Sequence, residues 1–325
     1  MRSSAASFRR AEREQQRIAR EAARQFKAQA KLDAVADAAR AVDEYNNYIS
    51  IIKSVHKEAT DQISWEGILK EEQPASPDRQ NKHETEALRR QSNYKPSLFD
   101  KLLNSEAKKR IKLKLEVEIA RAEDERAHQN RLKQYEQDKN DFFHLQEITK
   151  GVLNRQVESY KEAIVFFAPY SDIAELGTQV DLSFHSEHIS IDLKINNKEV
   201  IPDYVLSTTS TGKLSKKPMA AGKSNDLYQD YVCSCVLRVA RETLAYLPVN
   251  YVVVHAIGVL FDSKTGHEDP KTILSVVITP DKLKQLNMDT IDPSDSMKNF
   301  HYNMQFSKTN GFSAVERIDG NALIL

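Results

Sequence analysis

The sequence has few cysteines, glycines and prolines, and it has no long apolar run. Its 325 residues include 2 Cys, 9 Gly and 10 Pro. The cysteines, Cys233 and Cys235, are too few for a disulfide framework and lack the spacing of a zinc site. Because no run reaches about 18 apolar residues, no membrane-spanning helix is expected. These absences predict a cytoplasmic protein, and a charged fraction of 29% predicts extended polar helices.

Positive and negative charges balance over the whole chain but not along it. Residues 1–154 contain 30 Lys and Arg against 26 Asp and Glu, whereas residues 155–325 contain 17 against 21. The first 27 residues contain eight Lys and Arg and three Glu, and we call this segment the basic arm. Its glutamates argue against a mitochondrial transit peptide, which avoids acidic residues. The arm supplies candidate contacts to nucleic acid or phosphate, namely Arg9, Arg10, Arg13 and Arg17.

The first region, residues 1–58, contains a predicted long helix. No Pro or Gly interrupts residues 8–58, and Ala, Arg, Gln and Glu are frequent there. Its apolar residues recur at alternating steps of three and four, which is the spacing of a coiled-coil seam. The seam consists of Val35, Ala38, Val42, Tyr45, Ile49, Ile52 and His56. A second copy or another helical protein is predicted to bind there, through Val35, Val42, Tyr45, Ile49 and Ile52.

A second long helix is predicted for residues 98–168, after a connector at residues 59–97. The connector is polar, contains Pro74 and Pro77, and is expected to be partly flexible. Because both long segments are rich in helix formers and carry apolar stripes, they are predicted to form an antiparallel, coiled-coil-like hairpin.

The apolar stripe of the second helix is interrupted. Ile111, Leu115 and Ile119 lie on one side, a polar run follows at residues 123–131, and the stripe then resumes in a shifted phase. This break predicts a kink or a change of packing partner.

Residues 169–325 change from helical periodicity to strand alternation and are predicted to form an α+β domain. Two alternating segments between residues 180 and 195 predict a hairpin with one exposed face. Residues 249–261 are nearly all apolar, which predicts a central strand covered on both faces. The predicted element order is α-β-β-β-α-β-β-α-α-β around a mixed sheet, in which residues 199–207 add a third strand and residues 312–318 close the sheet.

One candidate catalytic site is the motif Asp192-Leu193-Lys194, with Asp181 upstream. Residues two apart on a strand point to the same side, so Asp192 and Lys194 share a face. The motif resembles that of PD-(D/E)xK nucleases over residues 155–262, which implies Mg²⁺ held by Asp181 and Asp192 with Lys194 beside the attacking water. It departs from the family because it lies on the second predicted strand rather than the third. The alternative is that these polar residues form the exposed face of a half-buried strand.

A second candidate is the loop that precedes the long helix of this domain. Ala221-Gly222-Lys223-Ser224 looks like the end of a P-loop, but a lysine stands where that motif needs its first glycine. What remains is an electropositive loop at a helix start, a candidate contact for phosphate or nucleic acid. Its lysines are Lys213, Lys216, Lys217 and Lys223. The alternative is a solvated loop without a ligand.

The histidines predict no metal site. Only His185 and His188 lie close in sequence, and no third ligand follows at a zinc-binding spacing. His255 lies within the apolar strand and is expected to be a hydrogen-bonded core residue.

Several stretches between residues 225 and 317 are similar to uncharacterised bacterial proteins that join a helical N-terminus to an α+β domain. They include Tyr228-Gln229-Asp230-Tyr231-Val232, Leu247-Pro248-Val249-Asn250 and Ile291-Asp292-Pro293-Ser294-Asp295-Ser296-Met297. The resemblance implies a bacterial cytoplasmic protein and no particular activity.

The sequence favours a non-enzymatic assembly or adaptor protein. In this hypothesis the coiled-coil hairpin and the α+β domain bind other proteins, and no cofactor is required. The alternative is a Mg²⁺-dependent nuclease in which the basic arm and the lysine loop hold nucleic acid. An open cleft with Asp181 close to Asp192 would favour the nuclease, and a flat solvated face would favour the adaptor.

Overall fold

A computed structural model describes residues 32–97, 105–171, 179–262 and 264–322. The basic arm, with its four candidate contacts Arg9, Arg10, Arg13 and Arg17, lies outside the described residues. The chain divides into two compact units. The sheet unit contains the described residues up to Ile63 and from Ala163 onward, and the helical unit is Ser64–Glu162. No helix in the described part of the chain is long and apolar enough to cross a membrane.

The secondary structure confirms the α+β class. The helices are α1 (32–54), α2 (Trp65–Leu69), α3 (Lys82–Asn93), α4 (Glu106–Leu153), α5 (Val157–Phe167), α6 (Ala221–Tyr246), α7 (Pro280–Lys284) and α8 (Pro293–Ser296). The strands are β1 (Gln179–Phe184), β2 (His188–Lys194), β3 (Tyr204–Thr208), β4 (Leu214–Pro218), β5 (Tyr251–Asp262), β6 (His267–Ile278), β7 (His301–Ser307) and β8 (Gly311–Ser313).

A mixed sheet of six strands forms the centre of the sheet unit within the described residues. Its strand order is β1-β2-β5-β6-β7-β8, in which β2 and β5 are parallel and the other neighbours are antiparallel. The nearly continuous apolar run of β5 lies between β2 and β6, which confirms the predicted central strand. A parallel pair requires a long crossover, and residues 195–250 supply it with β3, β4 and α6.

The predicted strand order differs from the structure at β3, at β4 and at the end of the sheet. Residues 199–207 do not extend the main sheet, because β3 pairs with β4 in a separate two-stranded sheet. The predicted loop contains β4 because Gly212, at φ +78°, permits a tight turn that other residues would enter with strain. Of residues 312–318, which were predicted to close the sheet, only 312 and 313 belong to the edge strand β8, and the unpredicted strand β7 separates β8 from β6. β8 ends at Ser313, and the chain then crosses one face of the sheet.

One face of the main sheet packs on α6, and we call it the inner face. Leu193, Val254 and Leu274 are fully buried there. The neighbour of Leu274 in the sheet is Met304, whose sulfur lies 3.9 Å from the Gln229 amide nitrogen of α6. Because side chains alternate between faces, the polar residues next to these apolar ones occupy the opposite, outer face.

Helix α1 packs on the rest of the sheet unit through its predicted seam. Val35 contacts Gly212 closely enough that an added Cβ would lie 2.9 Å from a Val35 methyl. The Tyr45 and Tyr204 rings lie 5.9 Å apart. Val35 and Tyr45 of the seam lie against the β3–β4 hairpin of the same chain. Binding of a second copy or another helical protein at the seam stays a prediction. An apolar stripe specifies that a face is covered and does not specify by what.

The chain after α1 binds α6 through polar contacts. The His56 backbone N–H donates to Ser234 Oγ over 2.9 Å, and the His56 ring contacts the same hydroxyl and the Met288 carbonyl. Arg241 donates to the His56 carbonyl. Burial, the largest influence, lowers the pKa of His56, which is 1% exposed.

In the helical unit the 48-residue helix α4 is about 72 Å long, and α3 lies antiparallel along it. Ala87 of α3 packs on Val117 and Ala120 of α4. Arg121 Nη2 of α4 lies 2.9 Å from Glu84 Oε1 of α3. The helical hairpin of the described residues is therefore formed by α3 and α4. The predicted connector at residues 59–97 contains both α2 and α3.

The polar run at residues 123–131 coincides with the start of α3. Asp124 accepts the N–H groups of His83 at 3.2 Å and Glu84 at 2.8 Å, so a side chain of α4 caps a neighbouring helix. Burial alone would raise the pKa of Asp124, but these backbone donors lower it below the ordinary value. Farther along α4, Gln146 donates to the Ile68 carbonyl of α2 over 2.7 Å. The predicted change of packing partner is confirmed.

Candidate functional site

The structure brings the three predicted catalytic residues onto one face of the sheet. Asp181 of β1 lies directly opposite Asp192 of β2 in the antiparallel register. Lys194 Nζ lies 3.2 Å from Asp181 Oδ2 and donates to Gln179 Oε1 over 3.1 Å. Asp181 and Lys194 are about half exposed, so this end of the cluster is a solvated ion pair on the outer face.

Asp192 is held by Arg317, a residue that the sequence did not single out. Arg317 Nη1 donates to both carboxylate oxygens of Asp192, over 2.9 and 3.0 Å. Its Nε also donates to Thr272 Oγ1 on β6. This pairing crosses 125 residues of sequence, and no periodicity links its members. Both oxygens of Asp192 are therefore occupied by a cation of the same chain.

A row of polar residues crosses the outer face from β1 to β7. The strand registers place its members side by side, and they are Asp181, Asp192, His255, Ser275 and Asn303. His255 Nδ1 lies 2.9 Å from Ser275 Oγ, and its Nε2 lies 3.4 Å from Ser190 Oγ. Burial has the largest effect on His255 and lowers its pKa, and the positive charge of Arg317 lowers that pKa further. The expectation that His255 is a hydrogen-bonded core residue is confirmed.

Residues 314–322 cover part of this outer face, and we call them the C-terminal segment. Ile318 packs with Tyr251, Val253 and Val277, and its N–H donates to Ser275 Oγ over 3.0 Å. The Tyr251 hydroxyl donates to the Gly320 carbonyl over 3.0 Å. The C-terminal segment thus covers the middle of the polar row, and Asp181 at the end of the row stays exposed to solvent.

The carboxylates of the row do not fit a Mg²⁺ site in this arrangement. Mg²⁺ needs free carboxylate oxygens, but those of Asp192 accept from Arg317, and Asp181 is paired with Lys194. Within the described residues, no group of three or more His, Cys, Asp or Glu side chains converges as metal ligands would.

The four predicted lysines of the loop are not gathered into one cradle. Lys213 lies in the β3–β4 turn, and Lys223 lies in the first turn of α6. Lys216 and Lys217 are neighbours on β4, so their side chains point to opposite faces of the hairpin. Lys216 Nζ lies 3.8 Å over the centre of the Tyr204 ring, a cation–π contact within the chain. Their role in binding nucleic acid or phosphate stays a prediction.

A different surface, on α4, exposes three large apolar side chains. Ile111 is 66% exposed, Leu115 59% and Ile119 50%. Their spacing of four residues keeps them on one side of the helix, and we call them the α4 stripe. Val117, which packs on α3, lies about 200° around the helix axis from Leu115 and Ile119. The stripe therefore occupies the side of α4 that faces away from α3.

Comparison with protein-family models, with curated proteins and with solved structures gives no match to this chain. The described residues and their contacts are therefore the basis on which a function is proposed.

Proposed function

We propose that the protein is a non-enzymatic assembly or adaptor component of the cytoplasm that binds a partner protein through the α4 stripe. One observation carries this proposal: three large apolar side chains, each at least half exposed, lie side by side on a helix that is otherwise highly charged. A contiguous apolar surface on a polar helix is stabilised when a partner removes it from water. Both cysteines are free and buried, which agrees with a reducing compartment.

A photo-cross-linking amino acid tests the proposal in cells. Placed at Leu115, it is expected to form protein adducts that mass spectrometry identifies, because the stripe lies within reach of the partner. Ile51 of α1 is the matched control, since it is a similarly exposed apolar residue at 55% and lies in the sheet unit. Adducts that are no more abundant at position 115 than at position 51 would contradict the proposal.

A Mg²⁺-dependent nuclease is the second candidate. The observation in its favour is that Asp181, Asp192 and Lys194 share one face of adjacent strands. The Arg317 contact to Asp192 argues against it, because the metal would have to displace that cation. We expect the purified protein to leave DNA and RNA intact in Mg²⁺ or Mn²⁺. Cleavage that disappears in both Asp192→Ala and Lys194→Ala would replace the assembly proposal with the nuclease.

A further inference from the structure

We propose that the partner of the α4 stripe is a second copy of this chain, and that the two α4 helices cross antiparallel with a twofold axis at Leu115. This inference rests on the proposed function, since it names the partner of the same surface. A twofold axis at Leu115 places Ile111 of one copy at the level of Ile119 of the other. The apolar stripe is therefore complementary to itself, as an interface between identical subunits must be.

The charges beside the stripe have the same symmetry. Lys112 and Glu116 flank it on one side, and Lys114 and Glu118 flank it on the other. In an antiparallel pair, each flank meets the same flank of the partner. The axis at Leu115 then places Lys112 near the partner's Glu116, and Lys114 near the partner's Glu118. Each contact occurs twice, so four opposite-charge pairs border the apolar stripe.

A parallel pair would have the opposite electrostatics. In that arrangement each flank meets the other flank of the partner. Lys112 would then approach the partner's Lys114, and Glu116 would approach the partner's Glu118. Like charges in these positions oppose association. The charge pattern thus favours one of the two directions.

The charged side chains are available for such contacts. Lys112 is 77% exposed, and its own-chain contact to Glu116 is long, at 4.0 Å. Glu118 is 65% exposed and contacts Arg121 at 3.3 Å on the surface. Exposed ion pairs of this kind contribute little to the stability of a monomer. They can therefore be exchanged for contacts to a second copy at small cost.

The stripe is short, which sets the expected affinity. A standard stable interface buries about 1,200–2,000 Å². Three apolar residues and two charged flanks from each copy make a small interface, and small interfaces are typically weak, so we expect a dimer with a dissociation constant on the order of micromolar. The dimer would form at high local concentration and dissociate on dilution.

Sedimentation velocity of the full chain, from about 1 to 200 μM, tests this inference. The native protein should shift from monomer to dimer over this range. Leu115→Glu should abolish the dimer, whereas the control Ile51→Glu should leave it unchanged. Circular dichroism confirms that both variants keep their helices, which is expected because both positions are exposed.

Charge reversal tests the direction of the helices. The variants Lys112→Glu/Lys114→Glu and Glu116→Lys/Glu118→Lys should each weaken self-association by at least about tenfold, because one charge sign then occupies both flanks. Mixing the two variants should restore a heterodimer with opposite charges across the interface. Each variant that associates as tightly as the native chain would overturn the antiparallel arrangement, because a parallel pair already brings like charges together in the native protein. A mixture that stays monomeric would exclude these charges from the interface.

The remaining outcomes separate this inference from the proposed function. A native chain that stays monomeric at every concentration would overturn self-association. In that case, adducts at position 115 with a different protein would still support the assembly role. A dimer that persists in Leu115→Glu would exclude the α4 stripe as its interface.

Discussion

Glu242→Ala is expected to lower the free energy of unfolding by about 3–5 kcal/mol, because it leaves Arg238 buried without its counter-charge. Arg238 Nη2 lies 3.1 Å from Glu242 Oε1, and their side chains are 9% and 1% exposed. Arg238 Nε and Nη1 have no hydrogen-bond partner among the described residues, so the carboxylate is the main compensation for this charge. Glu242 also accepts the Thr60 N–H, which fixes the chain that follows α1.

A double replacement provides the control for this prediction. In Arg238→Met/Glu242→Leu both charges are removed and the volume is largely kept, so the loss of stability should be much smaller than in Glu242→Ala. Urea denaturation of the three proteins measures the difference. If the double variant is destabilised as much as Glu242→Ala, the cost arises from lost packing or from the Thr60 contact and not from an unpaired charge.

Leu193→Ala is expected to lower the free energy of unfolding by about 2–5 kcal/mol through the cavity that it leaves. Leu193 is fully buried on the inner face of β2, between the polar residues of the same strand. Asp192→Ala should have a much smaller effect, about 0–1 kcal/mol, because the Asp192–Arg317 pair is partly exposed and solvent weakens it.

The contrast between these neighbours checks the register of the sheet. Urea denaturation of both variants is sufficient, because the expected difference exceeds the usual error of the method. Equal destabilisation by Leu193→Ala and Asp192→Ala would mean that β2 faces the other way. In that case Asp192 would not lie on the outer face, and it could not belong to the polar row or contact Arg317 there.

Alternation and apolar runs predicted much of the sheet from the sequence. The hairpin of β1 and β2, the central position of β5 and the shared face of Asp192 and Lys194 all follow from local patterns. Such patterns report on backbone geometry and burial, which are set by neighbouring residues. The sequence therefore predicted that Asp181, Asp192 and Lys194 lie together, but it did not single out Ser275 and Asn303, which belong to the same row.

The contacts that define the site could not be predicted in this way. Arg317 lies in irregular chain after β8, where no period indicates the direction of a side chain. The seam of α1 illustrates the same limit, since its spacing indicated a covered face but not that Val35 and Tyr45 would lie on the β3–β4 hairpin and His56 on α6. The polar run of α4 signalled a change of partner, but the capping role of Asp124 depends on a helix about 40 residues earlier.

The discontinuous sheet unit imposes an order of events during synthesis. Tyr48 of α1 donates to the Val200 carbonyl, 152 residues later, and His56 reaches Ser234, 178 residues later. At about 5–20 residues per second, the ribosome synthesises these partner residues roughly 10–40 s after α1. The helical unit is contiguous, so its own contacts can form during this interval. A nascent chain therefore presents the apolar seam of α1 to water and to chaperones, whereas the finished protein covers it.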